Sequence, residues 1–68
     1  MEISARNQLK GTVKRVLPGA VMTEVVIDVG GGQEVVSMIS KGSFERLGLR
    51  AGDSVVAIIK ATEVMIGK

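Results

Sequence analysis

The sequence contains no cysteine and no histidine among its 68 residues. Disulfides and zinc clusters, the usual supports of so short a chain, are therefore both excluded. Aromatic residues are nearly missing as well, with no tryptophan or tyrosine and a single phenylalanine, Phe44. A groove that binds single-stranded nucleic acid by stacking bases on successive rings has no platform here. Proline occurs once, at Pro18, and the longest purely apolar run, Val55–Ile59, is far short of the roughly 20 residues that span a bilayer. Met1–Lys10 is mixed polar and lacks the apolar centre of a signal peptide. These absences predict a soluble, cytoplasmic protein with no membrane partner, the lack of cysteine fitting a reducing compartment.

What is present is apolar. Hydrophobic residues make up 46% of the chain, more than one small core can hide. Association with other copies is the remaining route to stability, so an oligomer is expected. The net charge of +2 arises from nine Lys and Arg against seven Asp and Glu, interleaved along the chain. That mild basic balance suits an anionic ligand without selecting one. No linker, repeat or low-complexity tract divides the chain, and residues 1–68 read as a single domain.

Hydrophobic patterning and turn signals predict five short strands. Leu9–Leu17 reads as the first, ended by the Pro18-Gly19 turn signal. In Val21–Val29, residues Val21, Thr23, Val25, Ile27 and Val29 share one face and Met22, Glu24, Val26 and Asp28 the other. Gly30-Gly31-Gly32 supplies the positive φ angles of a hairpin, and Gln33–Ile39 returns as the third strand. Ser40–Gly48 reads as one or two helical turns, with Ser40 or Ser43 as N-cap and Gly48 closing the C-terminus. Ser54–Lys60 and Thr62–Ile66 are expected as the fourth and fifth strands. Five strands with a small helix between the third and fourth match an all-β, five-stranded OB-like Greek-key barrel, which leaves no open sheet edge.

Catalysis finds few candidates. No imidazole or thiol is available, the seven carboxylates are scattered, and a serine nucleophile would have only a lysine such as Lys60 for its base. The expectation is a protein that is not an enzyme. An OB-type interaction module for protein or single-stranded nucleic acid is the alternative, weakened by the missing aromatics. A tetrahedral oxyanion asks instead for cations, hydroxyls and free N–H groups. Three segments supply them. Ser4-Ala5-Arg6-Asn7 combines a hydroxyl, a guanidinium and an amide; Ser40-Lys41-Gly42-Ser43 places two hydroxyls at a helix start; Lys60-Ala61-Thr62 ends an apolar strand with a cation. Plainer readings stand beside each: N-caps for Ser40 and Ser43, solvated ends for Arg6 and Lys60. The glycine triplet is a hairpin and not a phosphate loop, because no helix or GK[ST] follows it.

The same residues carry a resemblance. Ser4-Ala5-Arg6-Asn7-Gln8-Leu9-Lys10-Gly11 resembles the SARNQLxG opening of the molbindins, small molybdate-binding proteins built from a Mop domain that also occurs in molybdate-responsive regulators and transporter ATPases. It continues through Ile39-Ser40, Ser43, Leu47-Gly48-Leu49 and Lys60–Ile66, nearly the whole chain. The resemblance implies an OB-like barrel, a homohexamer assembled as a trimer of dimers, and reversible binding of molybdate or tungstate for intracellular storage or homeostasis. It implies oxyanion sites at subunit interfaces, bound through hydrogen bonds without direct metal ligands. Ser4 and Arg6, with Ala5 between them, would come from one subunit; Ser40, Ser43, Lys60 and the backbone around Ala61 would come from its partner. Asn7 is expected to stabilise its segment. Ala61 stands where some members carry a hydroxyl, and a second site class on three-fold axes is not placed by any motif.

Overall fold

The computed structural model describes all residues, 1–68. Four strands and one short helix form: β1 (Asn7–Pro18), β2 (Met22–Gly30), β3 (Gln33–Ser40), α1 (Lys41–Leu47) and β4 (Ser54–Ile59), followed by a single 3-10 turn, Ala61–Glu63. The strands make one antiparallel sheet in the order β3-β2-β1-β4. The hairpin between β2 and β3 turns on Gly31 and Gly32, at φ 64° and 77°, left-handed values that β-carbons resist. Asp28 steadies it, its Oδ1 accepting from the Gly30 N–H at 2.8 Å.

β1 is shared between two partners. Asn7–Thr12 pairs with β4, and Thr12–Pro18 pairs with β2. Two local devices bend the strand where its partner changes. At Gly11 a β-carbon would lie 2.5 Å from the Asp28 carbonyl oxygen and 2.7 Å from Ile27 Cγ2, so only glycine lets β1 and β2 cross this closely. At Lys14 the ladder carries an extra residue: Val13 pairs with Ile27, and Arg15 with Val26. Such a bulge sharpens twist and curls the sheet. The loop before β4 is clasped to the same place, Val13 N–H donating to Asp53 O at 2.9 Å and Gly52 N–H to Val13 O at 2.8 Å. The bulged Lys14 donates to Glu34, with Arg15 Nη2 3.8 Å from the other carboxylate oxygen. The Lys14 hydrogen bond holds the Glu34 carboxyl below its ordinary value.

The curled sheet's inner face carries the core: Val13, Val25, Ile27 and Ala57, with Val16, Val29, Val35, Ile39, Leu49 and Val55 packed against them. Thr23, Val25 and Ile27 are buried on one face as the alternation predicts, although Val21 lies before β2 and is exposed. Val26 departs from the pattern. It belongs to the outer face yet is 0% exposed, flanked in the neighbouring strands by Arg15 and Val36. Long neighbours on a curled sheet can seal such a position. Thr23 is also fully buried, and its Oγ1 has no hydrogen-bond partner.

The expected fifth strand is not formed. After β4 the Glu63 N–H closes on the Lys60 carbonyl at 2.9 Å in the 3-10 turn, and Val64–Lys68 then runs on without secondary structure. Met65 is 92% exposed and Ile66 90%. An apolar run specifies a surface that fits a sheet but supplies no partner, and within one chain this segment pairs with neither free edge. The five-stranded barrel is correspondingly corrected to an open, curled four-stranded sheet. Between the unpaired edges of β3 and β4 lies an apolar cleft of about 700 Å³, lined by Val35, Ile39, Leu49, Val55 and Ile59 among others, with Glu63 at its rim.

Two glycines that look equivalent in sequence are expected to respond oppositely to alanine. Gly11→Ala forces β1 and β2 apart and should cost about 1–3 kcal/mol, the usual range for overpacking, read from a denaturant midpoint. Gly42→Ala, where a β-carbon meets nothing within 4 Å, should change stability by less than about 0.5 kcal/mol or raise it slightly. Thr23→Val should be neutral or stabilising, because the buried hydroxyl satisfies no partner.

Candidate oxyanion site

The SARN segment leads into β1. Ser4 and Arg6 are exposed and Ala5 is half-buried. The Ala5 carbonyl accepts from Gln8 Nε2 at 2.6 Å, a bond that ties the segment back to the start of the strand. Asn7 opens β1 opposite Ile59, the last residue of β4. Arg6 precedes and Lys60 follows that terminal pair, so both cations lie at the same end of the ladder. Neither cation is in an ion pair or a side-chain hydrogen bond. Two unpaired cations at one end of a sheet favour an anion there. Ala61 begins the 3-10 turn immediately after Lys60, and no side chain caps the turn.

Ser40 and Ser43 come together elsewhere. Ser40 ends β3 and is the N-cap of α1, its Oγ accepting from the Ser43 N–H at 3.1 Å. The plain capping role is therefore real for Ser40. Its hydroxyl also donates to Ser43 Oγ at 2.9 Å. Gly48, at φ 59°, stops the helix as expected, its N–H reaching the Phe44 and Glu45 carbonyls at 3.1 Å each. The Lys41 N–H donates to the Val21 carbonyl at 2.9 Å and anchors the helix start beside β2.

One participant escaped the sequence reading. Arg46 Nη2 donates to Ser43 Oγ at 3.1 Å, adding a guanidinium to the hydroxyl pair. The signal was present as an i, i+3 spacing on a helix, which places Ser43 and Arg46 on one face. Arg46 makes no ion pair, since both ion pairs of the chain use Glu34.

The site residues thus form two groups within one chain. Ser4, Arg6, Lys60 and Ala61 gather where β1 begins and β4 ends. Ser40, Ser43 and Arg46 sit where β3 passes into α1, and Ser40 pairs with Met22 near the opposite end of β1, whose Pro18 faces Thr23. No hydrogen bond or ion pair connects the groups. Within one chain Lys60 lies at the same end of the sheet as Arg6. Both groups present hydrogen-bond donors and positive charge, and no carboxylate is bonded into either. No serine hydroxyl is within hydrogen-bonding reach of Lys60, so the Ser–Lys pair needed for a nucleophile is not assembled. No cluster of three or more His, Cys, Asp or Glu side chains is present to hold a metal ion directly. Nor is any helix long and apolar enough to cross a membrane.

Comparison with known proteins places this geometry in a family. The TOBE domain model matches residues 3–66. Molybdenum-pterin-binding protein 3 of Clostridium pasteurianum is 53% identical over 66 residues, with 97% of each chain covered. The solved structure of a molybdate-binding protein from Sporomusa ovata superposes with a TM-score of 0.92 at 44% identity, covering 100% of both chains. The cytoplasmic molybdate-binding protein ModG, solved with molybdate bound, gives a TM-score of 0.84 at 48% identity over 90% of this chain and 43% of its own. The chain belongs to the TOBE-domain family and, within it, to the group of the molybdenum-pterin-binding (Mop) proteins.

Proposed function

We propose that this chain, acting as a single Mop domain, binds molybdate or tungstate reversibly in the cytoplasm as a store or buffer and catalyses no reaction. The observation that carries this reading is the pair of hydroxyl- and cation-bearing groups without a bonded carboxylate, Ser4–Arg6–Lys60–Ala61 and Ser40–Ser43, in a chain whose relatives are molybdate-binding proteins. Molybdate is a dianion at neutral pH, and its burial requires opposing charge and convergent donors. Arg6 and Lys60 would neutralise it; Ser4, Ser40, Ser43 and the backbone around Ala5 and Ala61 would orient its oxygens. The ligand is held by hydrogen bonds, with no protein atom bonded to the metal. Sulfate has the same charge and a smaller radius, so cavity size is the means of rejecting it. The alternative, an OB-type module for protein or single-stranded nucleic acid, gains no support: the one aromatic ring, Phe44, is half-buried in α1.

The two groups lie apart in one chain, so a complete site needs donors from two copies. The open cleft suggests how copies meet. Val64–Lys68 leaves its own chain with Met65 and Ile66 almost fully exposed, while β3 and β4 leave an apolar slot with unpaired edges. A second copy's Val64–Lys68 would fill this slot as a fifth strand, hiding both liabilities at once. A dimer built this way, repeated as three dimers, gives the homohexamer implied by the family.

Binding to the folded form alone raises stability by RT ln(1 + [L]/Kd). Molybdate at about 100 times its Kd should therefore raise the melting temperature by about 10–20 °C, with sulfate much less effective; an unchanged melting temperature in excess molybdate would count against the reading. Arg6→Ala should weaken molybdate binding by about 1.5–3 kcal/mol in isothermal titration, and wild-type affinity would show that Arg6 is no ligand. Met65→Asp with Ile66→Asp should convert the oligomer to monomer by native mass, while retention of the oligomer would place the tail outside the interface.

A further inference from the structure

We propose that Met65 is an oxidation site that controls assembly, its sulfoxide keeping the tail of one chain from docking into a second copy. The inference rests on the tail-docking reading above and adds a regulation to it. Cysteine, tryptophan, tyrosine and histidine are all absent, so the four methionines are the only side chains that mild peroxide attacks readily. Met65 is the most exposed of the large apolar side chains, at 92%.

The cleft is what makes an oxygen on this sulfur matter. Besides inner-face residues it is lined by Val36 and Met38 of β3 and by Val56 and Ile58 of β4. These four alternate with the inner-face positions and belong to the outer face, yet all are apolar and between 36% and 59% exposed in the single chain. A strand entering the cleft therefore has apolar neighbours on both of its faces. The tail has the matching pattern, since Val64, Met65 and Ile66 are consecutive apolar residues, as in a strand covered on both sides. Side chains alternate along a strand, so Met65 turns to one wall and Val64 with Ile66 to the other. Either wall is apolar, with Ser37 the only hydroxyl in the lining.

The thioether sulfur of Met65 attacks one oxygen of hydrogen peroxide. An S–O bond forms as the O–O bond breaks, the sulfur gives up two electrons, and the second oxygen leaves as water. The sulfoxide is polar, and burial in this lining strips its water without supplying donors in return. A docked tail shields Met65, so the form that reacts is the chain before assembly. A dithiol-dependent sulfoxide reductase reverses the step: the oxygen leaves as water, the sulfur regains two electrons, and the dithiol becomes a disulfide.

The test treats wild type and Met65→Leu with hydrogen peroxide in urea, where every methionine is accessible, and then refolds them. Native mass across a dilution series is compared with that of each protein's own untreated sample. Oxidised wild type is expected to dissociate at concentrations at least about tenfold above those of untreated protein. Oxidised Met65→Leu, whose other methionines carry the same oxygen, should match its untreated sample. Sulfoxide reductase with a dithiol should return oxidised wild type to the oligomer. Normal assembly of oxidised wild type overturns the inference, and so does equal dissociation of both proteins or a dissociation that the reductase does not reverse. An untreated wild type that is already monomeric overturns the tail-docking reading and this inference together.

Discussion

The fold depends on the way β1 divides itself between two partners. Its first half belongs to β4 and its second half to β2, and the change of partner falls at the close approach of Gly11 and the Lys14 bulge. A flat sheet of the same strands would leave both faces wet. Bending at this point turns Val13, Val25, Ile27 and Ala57 toward one another and makes a core from a chain with only six buried residues. The length of β1 separates its two ends, and the Arg6–Lys60 group and the Ser40–Ser43 group lie toward different ends of it.

An anion site assembled from separated halves has a physical logic. Arg6 and Lys60 lie at one end of the ladder without ion-pair partners, and holding further cations beside them in one unliganded chain would compound their repulsion. Donors divided between copies, as proposed, would postpone that cost until the dianion is present to offset it. The same division would link ligand binding to assembly, since whatever completes the site also draws the copies together. In this proposal the exposed tail and the apolar cleft would supply the ligand-independent part of that attraction, and the charged groups its ligand dependence.

Much of this was legible in the residues. The glycine triplet could only be a hairpin, Ser40 and Gly48 capped α1 as their types suggest, and the alternation of Thr23, Val25 and Ile27 identified the inner face. The misreadings share a cause, namely that pattern reports what a segment could pair with and not whether a partner is there. Thr62–Ile66 ends in the apolar run of a strand former, yet it opens in a 3-10 turn and pairs with no strand of its own chain. Val26 occupies a position that period-two alternation calls wet, yet it is fully buried between Arg15 and Val36 on the neighbouring strands. Gln8, tying down Ala5, and Arg46, engaging Ser43, act through side chains that reach three residues along the chain. Spacing permitted both contacts but did not select them.

The claim on which this account turns is that one anion site is completed by two copies. It is tested most directly by complementation between Arg6→Ala and Ser43→Ala chains, unfolded together, refolded as mixed oligomers and titrated with molybdate. Each variant alone should bind poorly. In a random mixture about a quarter of the shared interfaces pair an intact Arg6 with an intact Ser43, and these should bind molybdate at wild-type affinity. A mixture that binds no better than the two variants measured separately would contradict the shared site.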